Sequence, residues 1–198
     1  EILELCDEIG LLAWAESLGW QNPPEDLQNP EIVKLLTHAT KELVENNFNH
    51  PSVIIWAFLN ESCSQDERGV DCYRQLAATV RQHDPTRLVS FASDKNVKDL
   101  CLQFADVVSF NFYPGWFSDL SWDYSSFTPI KPAMDRLAAF AGRADLKDKP
   151  LIMSEIGTTA LYGLRDPGMA QWSEDFQSHY LETVLDAVFA NPRFTGIT

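Results

Sequence analysis

The feature that most constrains this chain is the regular alternation of short, continuous apolar runs with longer amphipathic stretches. Val53 to Leu59 reads VIIWAFL, without a single polar residue. A run this short, rich in β-branched and aromatic residues, reads as a strand covered on both faces, as in a parallel sheet. Comparable runs fall at Leu11–Ala15, Leu88–Ala92, Val107–Phe112, Leu151–Ser154 and Phe194–Thr198. Between them, Ile32, Val33, Leu35, Leu36, Ala39, Leu43 and Val44 recur with helical spacing, and Tyr73–Arg81, Val97–Phe104, Ile130–Ala144 and Trp172–Ala190 read as further helices. Prolines punctuate the series. Asn29-Pro30 is a helix start after the polar loop QNPPEDLQNP, and His50-Pro51 ends the helix that follows, because proline disfavours the α conformation in the residue before it.

Six strands in strict alternation with helices mean parallel strands joined by helical crossovers, in an open doubly wound sheet or a closed barrel. No strand is followed by GxGxxG or GxxxxGK[ST], which removes the usual phosphate-binding reasons for the open sheet. The expected fold is therefore an α/β barrel. A complete eight-fold barrel takes about 250 residues, so 198 residues hold an incomplete one. The opening EILELCDEIG reads as the middle of a helix, and the expectation is that the true N-terminus lies upstream.

Charge and cysteine content narrow the partners. A formal net charge of -14 argues against nucleic acid and against an anionic membrane surface. No apolar run is long enough to span a bilayer. Cys6, Cys63, Cys72 and Cys101 form no CxxC pair and no zinc-type grouping, so buried reduced thiols in a reducing compartment are expected, and a cytoplasmic location is favoured over a secreted one.

In an α/β barrel the reactive groups sit just past the C-terminal ends of the strands. VIIWAFL ends in Asn60-Glu61, VVSFNF ends around Asn111 and Tyr113, and PLIMS ends in Glu155. Two carboxylates on two strand ends are what glycosidic bond cleavage requires. One protonates the departing oxygen and the other attacks or stabilises the oxocarbenium-like carbon, with a gap of about 5–5.5 Å for retention and a wider gap for inversion. Aromatic residues gather between Phe110 and Phe127, where they serve either as core or as platforms for the C–H faces of a sugar. His38, His50, His83 and His179 sit on helices or beside prolines and read as solvated or core residues. Tyr162, Arg165 and Asp166, in the loop after Glu155, read either as pocket rim or as ordinary loop.

HPSVIIWAFLNES (residues 50–62), ADVVSFNFYPGWF (105–117) and KPLIMSEIG (149–157) resemble the three central motifs of glycoside hydrolase family 2, and LELCDEIGLLAWAE (3–16) is similar to the segment leading into its third barrel strand. The resemblance implies a TIM (β/α)8 barrel, here with about strands three to eight, preceded in the family by β-sandwich domains outside this chain. It implies a retaining exo-acting β-glycosidase with Glu61 as acid/base and Glu155 as nucleophile, acting on β-glucuronides or β-galactosides. Asn60 matches the residue that contacts the sugar 2-hydroxyl, Tyr113 the tyrosine beside the nucleophile, and Trp116 a wall of the sugar pocket. Asn111 and the residues after it resemble the β-glucuronidase branch more than the large β-galactosidases. AESLGW (15–20) departs from the magnesium-binding pattern of the latter, so no essential metal and no cofactor are expected. A carbohydrate substrate and a homo-oligomeric full-length protein complete the expectations. An endo-acting polysaccharide hydrolase, a non-catalytic carbohydrate-binding barrel and a fragment unable to fold alone are the alternatives.

Overall fold

The computed structural model describes residues 1–116, 127 and 130–198. The remaining residues of the aromatic segment 113–127 lie outside the described residues. The chain divides into two compact units, Glu1–Ser109 and Phe110–Thr198.

The first unit is built on a parallel sheet in the order β1 (Ala13–Glu16), β2 (Val53–Asn60), β3 (Leu88–Ala92). Ala15 lies opposite Trp56, and Trp56 lies opposite Val89. β2 occupies the centre, and its side chains are buried from Val53 to Leu59 except for Ile54. That matches the reading of VIIWAFL as a strand covered on both faces. Helix α1 (Ile2–Ile9) precedes β1, helices α2 (Pro24–Gln28) and α3 (Pro30–Asn47) connect β1 to β2, and helix α4 (Val70–His83) connects β2 to β3. Asn29 caps α3 by accepting from the Glu31 amide at 3.0 Å, with Pro30 in the first turn where its missing N–H costs nothing. The second sheet has the order β4 (Val108–Asn111), β5 (Leu151–Glu155), β6 (Phe194–Ile197), with β5 and β6 parallel and in the second unit, whose first residues are the last two of β4. The helices of this unit are α5 (Ile130–Ala141) and α6 (Glu174–Phe189), the latter capped by Ser173 Oγ accepting from the Phe176 amide.

All six expected strands are present among the described residues. Two local expectations are corrected. The loop QNPPEDLQNP contains the short helix α2, which begins on Pro24. The helix expected over 97–104 is instead two separate 3₁₀ turns, Asn96–Lys98 and Leu102–Phe104. The Asp99 carboxylate between them accepts from the Cys101 amide at 2.6 Å, and such a local side-chain bond competes with the helical ladder.

The four cysteines are free and buried, as expected. Burial pushes the Cys72 thiol up to about 12 and raises those of Cys63 and Cys101, so these three are inert packing groups rather than nucleophiles. No helix among the described residues is long and apolar enough to cross a membrane.

A buried ion cluster locks the lower end of β2. The Asp84 carboxylate is fully buried and accepts from Trp56 Nε1 at 2.8 Å, from the Thr86 amide and hydroxyl, and from Arg87 Nη1 at 2.8 Å. Burial alone would raise its pKa, but the donors from Thr86, Trp56 and Arg87 outweigh it and hold the carboxyl well below the usual range. A depressed carboxylate adds stability above its unfolded pKa, and that stability is lost only as pH falls toward the folded value. Asp84→Ala leaves Arg87 without this partner and the Trp56 N–H without an acceptor. The expected destabilisation is about 3–5 kcal/mol, read as a lowered urea midpoint for the barrel transition of the full-length protein at neutral pH.

Candidate active site

The end of β2 is held on both sides. The Asn60 amide donates to Gly19 O at 2.8 Å, the Gln21 amide donates to Asn60 O at 2.9 Å, and Trp20 forms a parallel bridge with Asn60. On the other side, Asn60 lies opposite Ala92, and the Glu61 amide donates to Ala92 O at 2.9 Å. Gly19 is required here. Its φ is 132°, and a Cβ would come within 2.5 Å of Leu59 Cδ2.

Immediately past this ladder, Glu61 adopts φ 51°, a left-handed conformation that a non-glycine residue reaches only at a cost of about 1–3 kcal/mol. Its own backbone is tethered at both ends, since Lys95 Nζ donates to Glu61 O at 3.1 Å. The turn lifts the carboxylate out of the β2 direction. Two donors from the loop after β1 meet it, with Gln21 Nε2 at 3.1 Å and Trp20 Nε1 at 3.4 Å, both on Oε2. Lys95 is also paired with Asp94 at 2.6 Å. Burial raises the Asp94 carboxyl, the hydrogen bond and charge of Lys95 oppose that rise, and the negative Glu61 adds to it. The residue after Glu61 is fixed as well, because Ser62 Oγ donates to Asn22 Oδ1 and accepts from the Asn22 amide.

In the second unit, Glu155 closes β5, and its carbonyl accepts from the Phe112 amide at 3.0 Å. The Tyr113 hydroxyl donates to Glu155 Oε2. A phenol hydrogen-bonded to a carboxylate orients it and holds negative charge on the oxygen it faces. Asn111 is 2% exposed and accepts from Ser154 Oγ at 2.7 Å, so it braces the strand end next to Glu155. Trp116 is 7% exposed, with its ring packed edge-on against Trp172 at 5.1 Å and tilted against Phe176 at 6.0 Å. Trp172 is the more exposed indole of that pair.

The structure therefore brings Asn60 and Glu61 together in one unit, and Asn111, Tyr113, Trp116 and Glu155 together in the other. Trp20, Gln21, Asp94 and Lys95 escaped the sequence reading. The only signal for them was position, since each follows the C-terminal end of a barrel strand. The histidines stand apart from these groups. His50 Nδ1 lies 2.6 Å from Asp7, His83 Nδ1 lies 3.1 Å from Glu45, and His38 and His179 face Glu42 and Glu182 on their own helices. Tyr162 is fully exposed, while Arg165 pairs with Glu174 and Asp175, and Asp166 caps its own loop through the Gly168 and Ala170 amides.

Residues 1–193 match the family model for glycosyl hydrolases family 2, TIM barrel domain. The chain belongs to this family. The β-glucuronidase of Mus musculus is 30% identical over 191 residues, covering 94% of this chain and 28% of that protein. The β-glucuronidase of Paenibacillus borealis is 28% identical over 198 residues, covering 91% of the chain and 31% of that protein. The crystal structure of a β-galacturonidase of the same family from Eisenbergiella tayi, bound to galacturonate, superposes with a TM-score of 0.89 at 34% identity, over 98% of this chain and 34% of that one. The chain thus spans about a third or less of the length of these relatives, and the segment it matches is the TIM barrel of the family.

Ser154→Ala tests the brace behind Glu155. Removing this donor from half-buried Ser154 and buried Asn111 is expected to cost about 1 kcal/mol, seen as a lowered melting temperature with unchanged secondary structure. An unchanged melting temperature would show that the contact does not hold the strand end.

Proposed function

We propose that this chain is the catalytic-barrel portion of a larger retaining exo-β-glycosidase, and that the terminal sugar it removes is a β-linked uronic acid. The observation that carries the reading is the treatment of two strand-end glutamates. Each carboxylate receives donors on Oε2, from Trp20 and Gln21 for Glu61, and from Tyr113 for Glu155. The relatives support the choice of sugar, being named β-glucuronidases and a β-galacturonidase with galacturonate bound.

In this mechanism Glu155 attacks the anomeric carbon while Glu61, in its acid form, gives its proton to the departing glycosidic oxygen. A covalent glycosyl-enzyme forms with inversion. Glu61, now the carboxylate, takes a proton from water as the water attacks that carbon, a second inversion follows, and the product retains its configuration. The Tyr113 hydroxyl orients Glu155 and, by donating to it, stabilises the negative charge that returns to its carboxylate as the ester breaks. Asn60, ordered by the ladder to Gly19 and Gln21, faces the hydroxyl next to the reacting carbon. Trp116, through Trp172, shapes the sugar wall. Retaining chemistry in general works with two carboxyl groups about 5–5.5 Å apart.

Turnover of a panel of aryl β-glycosides by the full-length protein tests the activity, with the glucuronide or galacturonide expected to lead the galactoside, glucoside and mannoside. Failure on every member would defeat the reading. Tyr113→Phe keeps the ring and removes the donor to Glu155. It is expected to lower kcat by about ten- to a hundredfold with little change in KM, and an unaltered kcat would remove Tyr113 from the mechanism.

A further inference from the structure

One of the most deeply buried carboxylates of the first unit is one that bond cleavage does not use. Asp99 is 1% exposed and lies between the two 3₁₀ turns that follow β3. Its Oδ2 accepts from Ser64 Oγ at 2.5 Å and from Ser93 Oγ at 2.5 Å, while Oδ1 accepts from the Cys101 amide at 2.6 Å. A carboxylate that gathers this many donors in the interior is expensive to place there. Burial pushes its pKa up, and the donors from Ser64 and Ser93 oppose that shift.

The two serines belong to the two loops that hold Glu61. Ser64 lies three residues past Glu61, and its carbonyl is gripped by the Leu100 amide at 2.9 Å and by Cys101 Sγ. Ser93 lies two residues before Lys95, and its hydroxyl accepts from the Lys95 amide at 3.2 Å. Lys95 in turn reaches the Glu61 carbonyl, and the Glu61 amide reaches Ala92 O. The loop after β2 and the loop after β3 are therefore tied twice, once at Glu61 itself and once beneath it at Asp99. Behind the cluster, Tyr73 bonds Ser64 and packs edge-on against Phe91 at 4.8 Å and Phe58 at 5.8 Å, which leaves the serine little freedom.

We propose that Asp99 is a positioning residue for the acid/base, acting through Ser64 and Ser93 to hold Glu61 in its left-handed backbone conformation with its carboxyl aimed at the departing oxygen. The proposal rests on the acid/base role assigned to Glu61 above. Without the clamp, Glu61 relaxes toward an ordinary backbone conformation and its carboxyl swings off the leaving group, while Glu155, carried by β5, is left as it was.

The test compares Asp99→Asn with Glu61→Gln in the full-length enzyme, using kcat/KM for β-uronides with a dinitrophenyl and with a methyl leaving group. The first leaving group departs without proton donation and the second depends on it. For Glu61→Gln the expected loss is at least about a hundredfold on the methyl uronide and small on the dinitrophenyl one. For Asp99→Asn the same selectivity is expected at about tenfold, and Asp99→Glu is expected to recover none of it, because the longer side chain does not fit the donors. Equal losses on both substrates would mean that Asp99 merely supports the fold, and the proposal falls. Equal losses in Glu61→Gln would defeat the acid assignment itself, and the proposal with it. If Asp99→Asn does not fold, Ser93→Ala takes its place, since it removes one of the two hydroxyl donors. A selective loss supports the clamp, and a uniform loss or none overturns it.

Discussion

The structure of the candidate site depends on a parallel ladder that runs past the end of its central strand. β2 pairs with both neighbours as far as Ala57, Asn60 is paired again with Trp20 on one side and Ala92 on the other after a register shift, and the next residue still donates its amide to Ala92. Because the neighbours are parallel, the loops after β1 and β3 leave the sheet on the same side as Glu61. That is why Gln21 and Trp20 come from one flank and Lys95 from the other. The left-handed turn at Glu61 can be strained because the ladder and these two loops over-determine it. A side chain placed by rigid strands needs less adjustment at the moment of reaction than one placed by a free loop.

The electrostatics follow from that placement. The chain is strongly acidic, and the donors that reach the two glutamates include the Trp20 indole, the Gln21 side-chain amide and the Tyr113 hydroxyl, while Lys95 pairs with Asp94 and donates to the Glu61 carbonyl. Hydrogen-bond donors on a carboxylate oxygen fix its orientation.

Much of this was legible in the sequence. The continuous run VIIWAFL and the breaks at His50-Pro51 and Asn29-Pro30 located β2 and α3, and strand-end logic alone singled out Glu61 and Glu155. Features that depend on local competition escaped. The span 97–104 has helix-compatible composition, but the Asp99 carboxylate takes the Cys101 amide and splits it into two tight turns. Trp20 and Gln21 carry no motif, since their role comes from a single bridge to Asn60 set by the length of the loop after β1. Trp116 shows the converse. It is named in a strand-end motif, but its burial and its edge-on contact with Trp172, far along the chain in another loop, are set by tertiary packing that the sequence does not spell out.

The central claim is that Glu155 is the nucleophile of a retaining pair. The most direct measurement incubates the full-length enzyme with a fluorinated β-uronide that forms the glycosyl ester quickly and hydrolyses it slowly, followed by mass spectrometry of the digested protein. The account predicts a single covalent label on the peptide containing Glu155. A label on Glu61 or any other carboxylate, or inverted product with no covalent species, would contradict it.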